Sequence, residues 1–187
     1  TTEIQDQVRR EILQPMVDAM ARLGSPFQGV LYAGLMMMDG TPYVLEFNAR
    51  MGDPETQVVL PLLKNDLVDV LEAVIEHRLD QLPVEWHSDA TVCVVMASGG
   101  YPGTYQQGIP LSGLPTATTL SDSSVVFHAG TAQRGHEIVT AGGRVLGVLG
   151  RGRTLMEAQG EAYRVAKTIS FEGCHFRTDI AHRALKT

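Results

Sequence analysis

Cysteine is scarce in this 187-residue sequence: Cys93 and Cys174 stand far apart, with no Cys-x-x-Cys. That excludes a disulfide framework and a zinc ribbon, and it suits a reducing cytosol. A basic excess is also missing. Lys and Arg number 15 against 21 Asp and Glu, a net charge of −6. Non-specific nucleic-acid binding needs the opposite balance, because phosphate attraction requires cationic surplus. No apolar run reaches the ~18 residues of a membrane span. The opening Thr1-Thr2-Glu3-Ile4-Gln5-Asp6-Gln7 is neither basic nor apolar, unlike a signal peptide. Internal repeats and low-complexity tracts are lacking. What is there is ordinary globular composition, 44% hydrophobic and 19% charged, in a chain long enough to bury its own core. There is no initiator Met and a helical pattern begins almost at once, so the chain is expected to start within a longer polypeptide.

Ile4, Val8, Ile12, Leu13, Met16, Val17, Met20 and Leu23 recur at helical spacing and predict an amphipathic helix, kinked at Pro15 and stopped at Gly24. Two apolar runs, Gly29 to Met38 and Thr41 to Asn48, flank Asp39-Gly40 and read as a β-hairpin. Met36, Met37 and Met38 are expected to fill core. Asp53 before Pro54 predicts a helix start, with Asp53 as cap and Pro54 as first helical residue. Pro61 should interrupt that helix, and Leu67, Val70, Leu71, Val74 and Ile75 resume the pattern between Leu63 and Leu79.

The texture changes near residues 80–88, where Leu82-Pro83 and Trp86-His87-Ser88 read as a linker between two modules. Ala90 to Ala97 is a buried strand by length and branching. Val125–His128, Glu137–Thr140 and Arg144–Leu149 read as shorter strands between glycine-rich turns. Thr154-x-x-Glu157 is a capping box, and Leu155, Ala158, Ala162, Tyr163, Ala166 and Ile169 form one helix face. Asp179 to Leu185 could add a short helix.

The most informative stretch is Leu45-Glu46-Phe47-Asn48-Ala49-Arg50-Met51-Gly52-Asp53-Pro54-Glu55. On a strand, Glu46 and Asn48 share a face, with Phe47 opposite. A carboxylate beside an amide oxygen offers hard ligands suited to Mg²⁺, which takes one or two protein groups and completes its shell with waters and phosphates. Arg50 would continue that face if the strand persisted, and its planar fork suits a carboxylate or phosphate. A helix N-terminus beyond it favours anions. The same residues fit a plainer reading: Glu46 an exposed strand residue, Asn48 a turn former, Arg50 a surface ion-pair partner and Asp53 a cap.

Other candidates are weaker. Gly99-Gly100-Tyr101-Pro102-Gly103 lacks the strand–lysine–helix context of a P-loop and reads as a tight turn. His128 at a strand end reads as a hydrogen-bonded structural residue. His77, His87, His136, His175 and His182 show no ligand spacing. Cys93 and Cys174 read as small buried hydrophobes.

Gly34-Leu35, the run from Leu45 to Gln57, Gly100 to Gly103, Val126 to Thr131 and Gly142 to Leu146 occur in that order. Together they resemble the phosphoribosylamine–glycine ligase (glycinamide ribonucleotide synthetase) family of the ATP-grasp superfamily, across essentially the whole chain. The Arg50-x-Gly52-Asp53-Pro54-Glu55-x-Gln57 run carries most of the specificity, and Met51 stands where the family usually has Phe. The resemblance implies an α+β fold. Residues 1–84 would be the C-terminal segment of an ATP-grasp domain, an antiparallel sheet with helices. Residues 85–187 would be a small mostly-β C-terminal domain with a packed helix. It also implies that the remaining, N-terminal part of the enzyme is this chain's partner.

The implied activity is ATP-dependent ligation of glycine to 5-phosphoribosylamine through glycyl phosphate, in purine biosynthesis, by a cytoplasmic monomer with neither nucleic-acid nor membrane partners. By the same resemblance Glu46 and Asn48 hold Mg²⁺ or Mn²⁺ on the ATP phosphates, and Leu35 touches adenine. Arg50 and Asp53 are catalytic. Arg50, Gly52, Asp53 and Pro54 position glycine or its acyl phosphate. Many relatives in the superfamily add a carboxylate on the preceding strand. Gly29 to Met38 contains no acid, with Ala33 or Gly34 at the expected place, which implies a thinner metal site. Two alternatives stay open: another ATP-grasp carboxylate–amine ligase, or a non-catalytic module retaining the fold.

Overall fold

A computed structural model describes residues 1–116 and 121–186. The chain divides into two compact units, one formed by Thr1–Asp53 with Lys64–Glu85 and the other by Pro54–Leu63 with Trp86–Thr187.

The first unit opens on a helical stretch. α1 (Thr2–Val8) runs through a π-helical turn at Arg9–Leu13 into α2 (Gln14–Arg22). The expected kink at Pro15 takes this form for a physical reason. Pro15 has no N–H for the carbonyl four residues back, and its ring crowds that carbonyl. Widening the preceding turn relieves the crowding, and the Gln14 N–H then reaches the carbonyl of Arg9. Gly24 stops the helix in a left-handed conformation, φ 75°. Gly24 N–H donates to Ala21 and Ser25 N–H to Met20, both at 3.0 Å, the Schellman arrangement.

β1 (Tyr32–Met38) and β2 (Thr41–Asn48) form an antiparallel hairpin. Its two-residue turn has positive φ at both Asp39 and Gly40, 49° and 80°, as a primed turn requires. Met36, Met37 and Met38 do not fill core. All three are exposed, as are Tyr43, Val44 and Leu45 of β2. The hairpin is a two-stranded sheet, and a two-stranded ribbon offers these side chains no inner layer.

α4 (Leu67–Ile75) is shorter than the apolar pattern. It begins at Asp66, whose carboxylate accepts from Val68 N–H at 2.8 Å. At its other end the Gln28 amide donates to the carbonyls of Val74 and Ile75, at 2.8 and 2.9 Å.

The second unit centres on a three-stranded antiparallel sheet in the order β3–β7–β4: β3 (Ala90–Ala97), β4 (Ser124–His128) and β7 (Arg144–Gly152). The smaller pair is β5 (Thr131–Arg134) with β6 (Glu137–Thr140). β5 is a strand the apolar pattern does not mark, because Thr131-Ala132-Gln133-Arg134 is polar and forms by pairing with β6. Alternation along the central strands separates two faces. Val92, Val94 and Met96 of β3 with Leu146 and Val148 of β7 pack under α5 (Leu155–Ala166), which buries Ala158, Ala162, Val165 and Ala166. α3 (Glu55–Val59) contacts β3 and β7, and Thr91 Oγ1 donates to the Val58 carbonyl at 2.8 Å. Pro61 ends α3 in a 3₁₀ turn over Leu60–Leu62. The Thr154 hydroxyl accepts from Glu157 N–H at 3.2 Å. The Glu157 carboxylate reaches back one residue beyond the usual capping box, to Arg153 N–H at 2.9 Å. α6 (His182–Leu185) closes the described chain.

Candidate active site

β2 delivers the two oxygen-bearing side chains side by side. Asn48 Nδ2 donates to Glu46 Oε1 at 3.1 Å, so the amide and the carboxylate share one face. Glu46 is exposed and Asn48 half-buried, which leaves the carboxylate open to water and to a ligand. Gly34 of β1 lies directly opposite Glu46, and Leu35 opposite Val44, so Leu45 is an extra residue on β2. Such a bulge bends its strand and re-aims the side chains beside it. Leu35, the proposed adenine contact, is half-buried in β1 just past this break.

Arg50 does not continue the strand. β2 ends at Asn48, and Ala49 and Arg50 form a bend. The Arg50 guanidinium turns onto the next residue and donates to the Met51 carbonyl at 2.8 Å. It sits exposed, just after the Glu46–Asn48 pair in the chain. Gly52 is buried and Asp53 exposed. The expected cap shifts by one residue. The helix starts at Glu55, and Pro54 takes the N-cap position without a side-chain capping bond of its own. A proline there has no hydroxyl or carboxylate to offer the first turn, and Asp53 stands one residue before it, in the turn that leads into the helix.

Among the described residues no three or more His, Cys, Asp or Glu side chains gather to hold a metal. The Glu46–Asn48 pair nevertheless fits a small divalent cation that takes most of its shell from phosphates and water. One carboxylate oxygen and one amide are adjacent. Turning the Asn48 amide about its last torsion would present Oδ1 in place of Nδ2. No second carboxylate faces the pair from β1, where Gly34 stands.

The remaining candidates resolve into structure. Tyr101 N–H donates to Ser98 and Gly103 N–H to Gly100, at 3.1 and 2.8 Å, which makes Gly99–Gly103 a tight turn. Ser98 Oγ donates to the Gly142 carbonyl at 2.9 Å. A Cβ on Gly130 would lie 2.7 Å from Gly142 Cα. The three glycine-bearing motifs of the second unit therefore converge where backbones touch, and glycine is needed there for space. His128 Nδ1 pairs with Thr131 Oγ1 at 2.9 Å. Cys93 is buried, and burial pushes the Cys174 thiol up from its ordinary value.

A wide cleft in the second unit is lined by charged side chains, and its three arginines are each paired with a carboxylate of the same lining. Arg151 Nε donates to Asp89 at 2.7 Å. Arg164 clasps Glu161 with two hydrogen bonds of 2.8 Å. That clasp, helped by the Ser121 and Ser124 hydroxyls and opposed by burial, holds the Glu161 carboxyl down at about 2.

Two family models match the chain. "Phosphoribosylglycinamide synthetase, ATP-grasp (A) domain" matches residues 1–56, and "Phosphoribosylglycinamide synthetase, C domain" matches residues 91–183. The chain belongs to the phosphoribosylglycinamide synthetase family. Within that family it is 50% identical to the phosphoribosylamine–glycine ligase of Synechocystis over 182 residues, 96% of this chain and 43% of that protein. It is 48% identical over 180 residues to the trifunctional purine biosynthetic protein adenosine-3 of Gallus gallus, 96% of this chain and 18% of that one. A crystal structure of phosphoribosylamine–glycine ligase from Thermotoga maritima matches with TM-score 0.72 at 38% identity, over 86% of this chain and 39% of that one. The chain thus spans about two-fifths of the length of the Synechocystis relative. The α+β architecture expected from the resemblance is the one found.

The neighbourhood of Gly34 and Glu46 is what sequence reading missed. The bulge at Leu45 has no local marker, and the only signal is an interior-strand glycine, Gly34, where a side chain would be usual.

Proposed function

We propose that this chain is the C-terminal part of a phosphoribosylamine–glycine ligase, an ATP-dependent carbon–nitrogen ligase of purine biosynthesis. Residues 1–84 would complete its ATP-grasp domain and residues 85–187 would form its C-terminal domain, within a cytoplasmic, monomeric enzyme. The observation that carries the reading is the Glu46–Asn48 pair, a carboxylate and an amide held 3.1 Å apart at the end of β2, with Arg50, Gly52 and Asp53 following at once. The exposed apolar side chains of the hairpin add support, since a further layer of the same enzyme would cover them.

In the proposed reaction a carboxylate oxygen of glycine attacks the γ-phosphorus of ATP. The bond to ADP breaks and glycyl phosphate forms. The amine nitrogen of 5-phosphoribosylamine then attacks the acyl carbon, phosphate leaves, and the nitrogen loses a proton to give glycinamide ribonucleotide. A carboxylate approaching a triphosphate is repelled by its charge. Mg²⁺ or Mn²⁺ held by Glu46 and Asn48 would supply the neutralising charge on the phosphates. Arg50, exposed and donating from Nη1 to a backbone carbonyl, can exchange that bond for a carboxylate or phosphate oxygen, a stronger charge-assisted pairing. Gly52 and Asp53, with Pro54, would shape the turn against which glycine and its acyl phosphate lie. Leu35 would touch the adenine of ATP.

The test is a chimera in which this chain replaces the matching C-terminal segment of the Synechocystis relative, assayed for ADP release. The expected result is release that requires both glycine and 5-phosphoribosylamine and yields glycinamide ribonucleotide. A folded chimera that releases no ADP, or one that responds to a different carboxylate, would contradict the proposal.

A further inference from the structure

We propose that Gly34 is a positioning residue for the Glu46 carboxylate: the missing side chain on β1 is the space through which Glu46 crosses to meet Asn48. The inference rests on the reading of Glu46 and Asn48 as a cation-holding pair and deepens it.

Gly34 and Glu46 are register partners, with the bulge immediately beside them. A Cβ built on Gly34 would lie 2.9 Å from Glu46 Cγ, 3.6 Å from Oε1 and 3.8 Å from Cδ. Glu46 Cγ therefore lies closer than a Cβ at 34 could tolerate, and Oε1 and Cδ would sit in van der Waals contact with it. The backbone does not call for glycine there. Gly24 and Gly40 have positive φ, 75° and 80°, and need glycine for conformation, but Gly34 is not among the positive-φ residues and sits in regular strand. Any residue could adopt that backbone, and a glycine inside a strand weakens it. What the glycine provides is room.

That room decides where the carboxylate points. The clashing atom is Glu46 Cγ, so an added methyl at 34 requires Glu46 to change χ1, and that rotation carries the carboxylate with it. The strand pairing would survive while Oε1 left the reach of Asn48 Nδ2. A carboxylate and an amide that no longer face the same point cannot share a cation. Gly34 thus acts through Glu46 without touching the ligand itself.

The experiment uses the ¹⁵N-labelled 187-residue chain, with Mn²⁺ alone as probe and the Asn48 side-chain amide signals as reporter. The wild-type chain is compared with Gly34→Ala and Glu46→Gln. Without metal, Gly34→Ala should shift the Asn48 side-chain signals toward their positions in Glu46→Gln, while the hairpin backbone signals of Met37 and Thr41 stay in place. Substoichiometric Mn²⁺ should broaden the Asn48 side-chain signals selectively in wild type, and that broadening should be lost in both variants. Unchanged Asn48 shifts and retained broadening in Gly34→Ala would overturn the positioning role. Broadening retained in Glu46→Gln would instead overturn the underlying assignment of the pair. If Gly34→Ala disturbs the hairpin, the double variant Gly34→Ala/Glu46→Ala decides. Recovery of the hairpin signals there would show that the clash is with Glu46, and failure to recover would overturn the inference.

Discussion

Gly150 of β7 lies so close to Ala158 of α5 that a side chain at 150 would overlap the Ala158 carbonyl oxygen and the Ala162 N–H. The obstacle is backbone on both counts, so no rotamer change can relieve it. Gly150→Ala is expected to destabilise the second unit by about 3 kcal/mol or more, at or beyond the top of the usual overpacking range. Gly160, on the exposed side of the same helix, meets nothing within 4 Å. Gly160→Ala should therefore stabilise by about 0.5–1 kcal/mol, through helix propensity alone. Denaturant unfolding of the two variants should show shifts of opposite sign.

The Glu161–Arg164 clasp should make stability pH-dependent. The Glu161 carboxyl is held down from 4.5 to about 2, first by the Arg164 hydrogen bonds. A depressed native value contributes stability that is fully present above 4.5 and is lost as pH falls toward 2. Arg164 is half-exposed, its side chain 54% accessible, so solvent screening reduces the contribution to about 1 kcal/mol. Thermal melts from pH 6 down to pH 2 should show that part of the decline removed in Glu161→Gln.

Asp66 is the capping carboxylate of α4. Its oxygen accepts from Val68 N–H at 2.8 Å and satisfies one of the free donors of α4. Asp66→Ala should cost about 1 kcal/mol and Asp66→Asn much less, measured by urea unfolding of the chain. Equal losses in both variants would mean that the bond matters little.

What could be read in the residues divides by range. The hairpin was legible because Asp39-Gly40 is a strong local turn signal, and the helix stop because Gly24 and Ser25-Pro26 act locally. The Glu46–Asn48 pairing was legible because strand periodicity is local too. Whether Arg50 continues the face was not legible, because the end of β2 at Asn48 is set by where β1 begins, at Tyr32, its partner in register. β5 escaped notice because its polar residues are strand only by virtue of β6. The methionines of β1 look like core, but among the described residues nothing covers this two-stranded ribbon's faces as a layered sheet would be covered. The bulge at Leu45, next to the Gly34–Glu46 pair, depends on both strands at once, and only the interior-strand Gly34 hints at it.

The central claim is that Glu46 and Asn48 hold the cation of an ATP-dependent ligase, and its most direct measurement is the Mg²⁺ dependence of turnover for Glu46→Gln and Asn48→Ala in the chimera carrying this chain. Each change removes or weakens one oxygen ligand and leaves the strand in place. The account predicts lower turnover and a higher Mg²⁺ requirement in both, partly relieved by raised Mg²⁺ or by Mn²⁺. Wild-type turnover with unchanged metal dependence in both variants would contradict it.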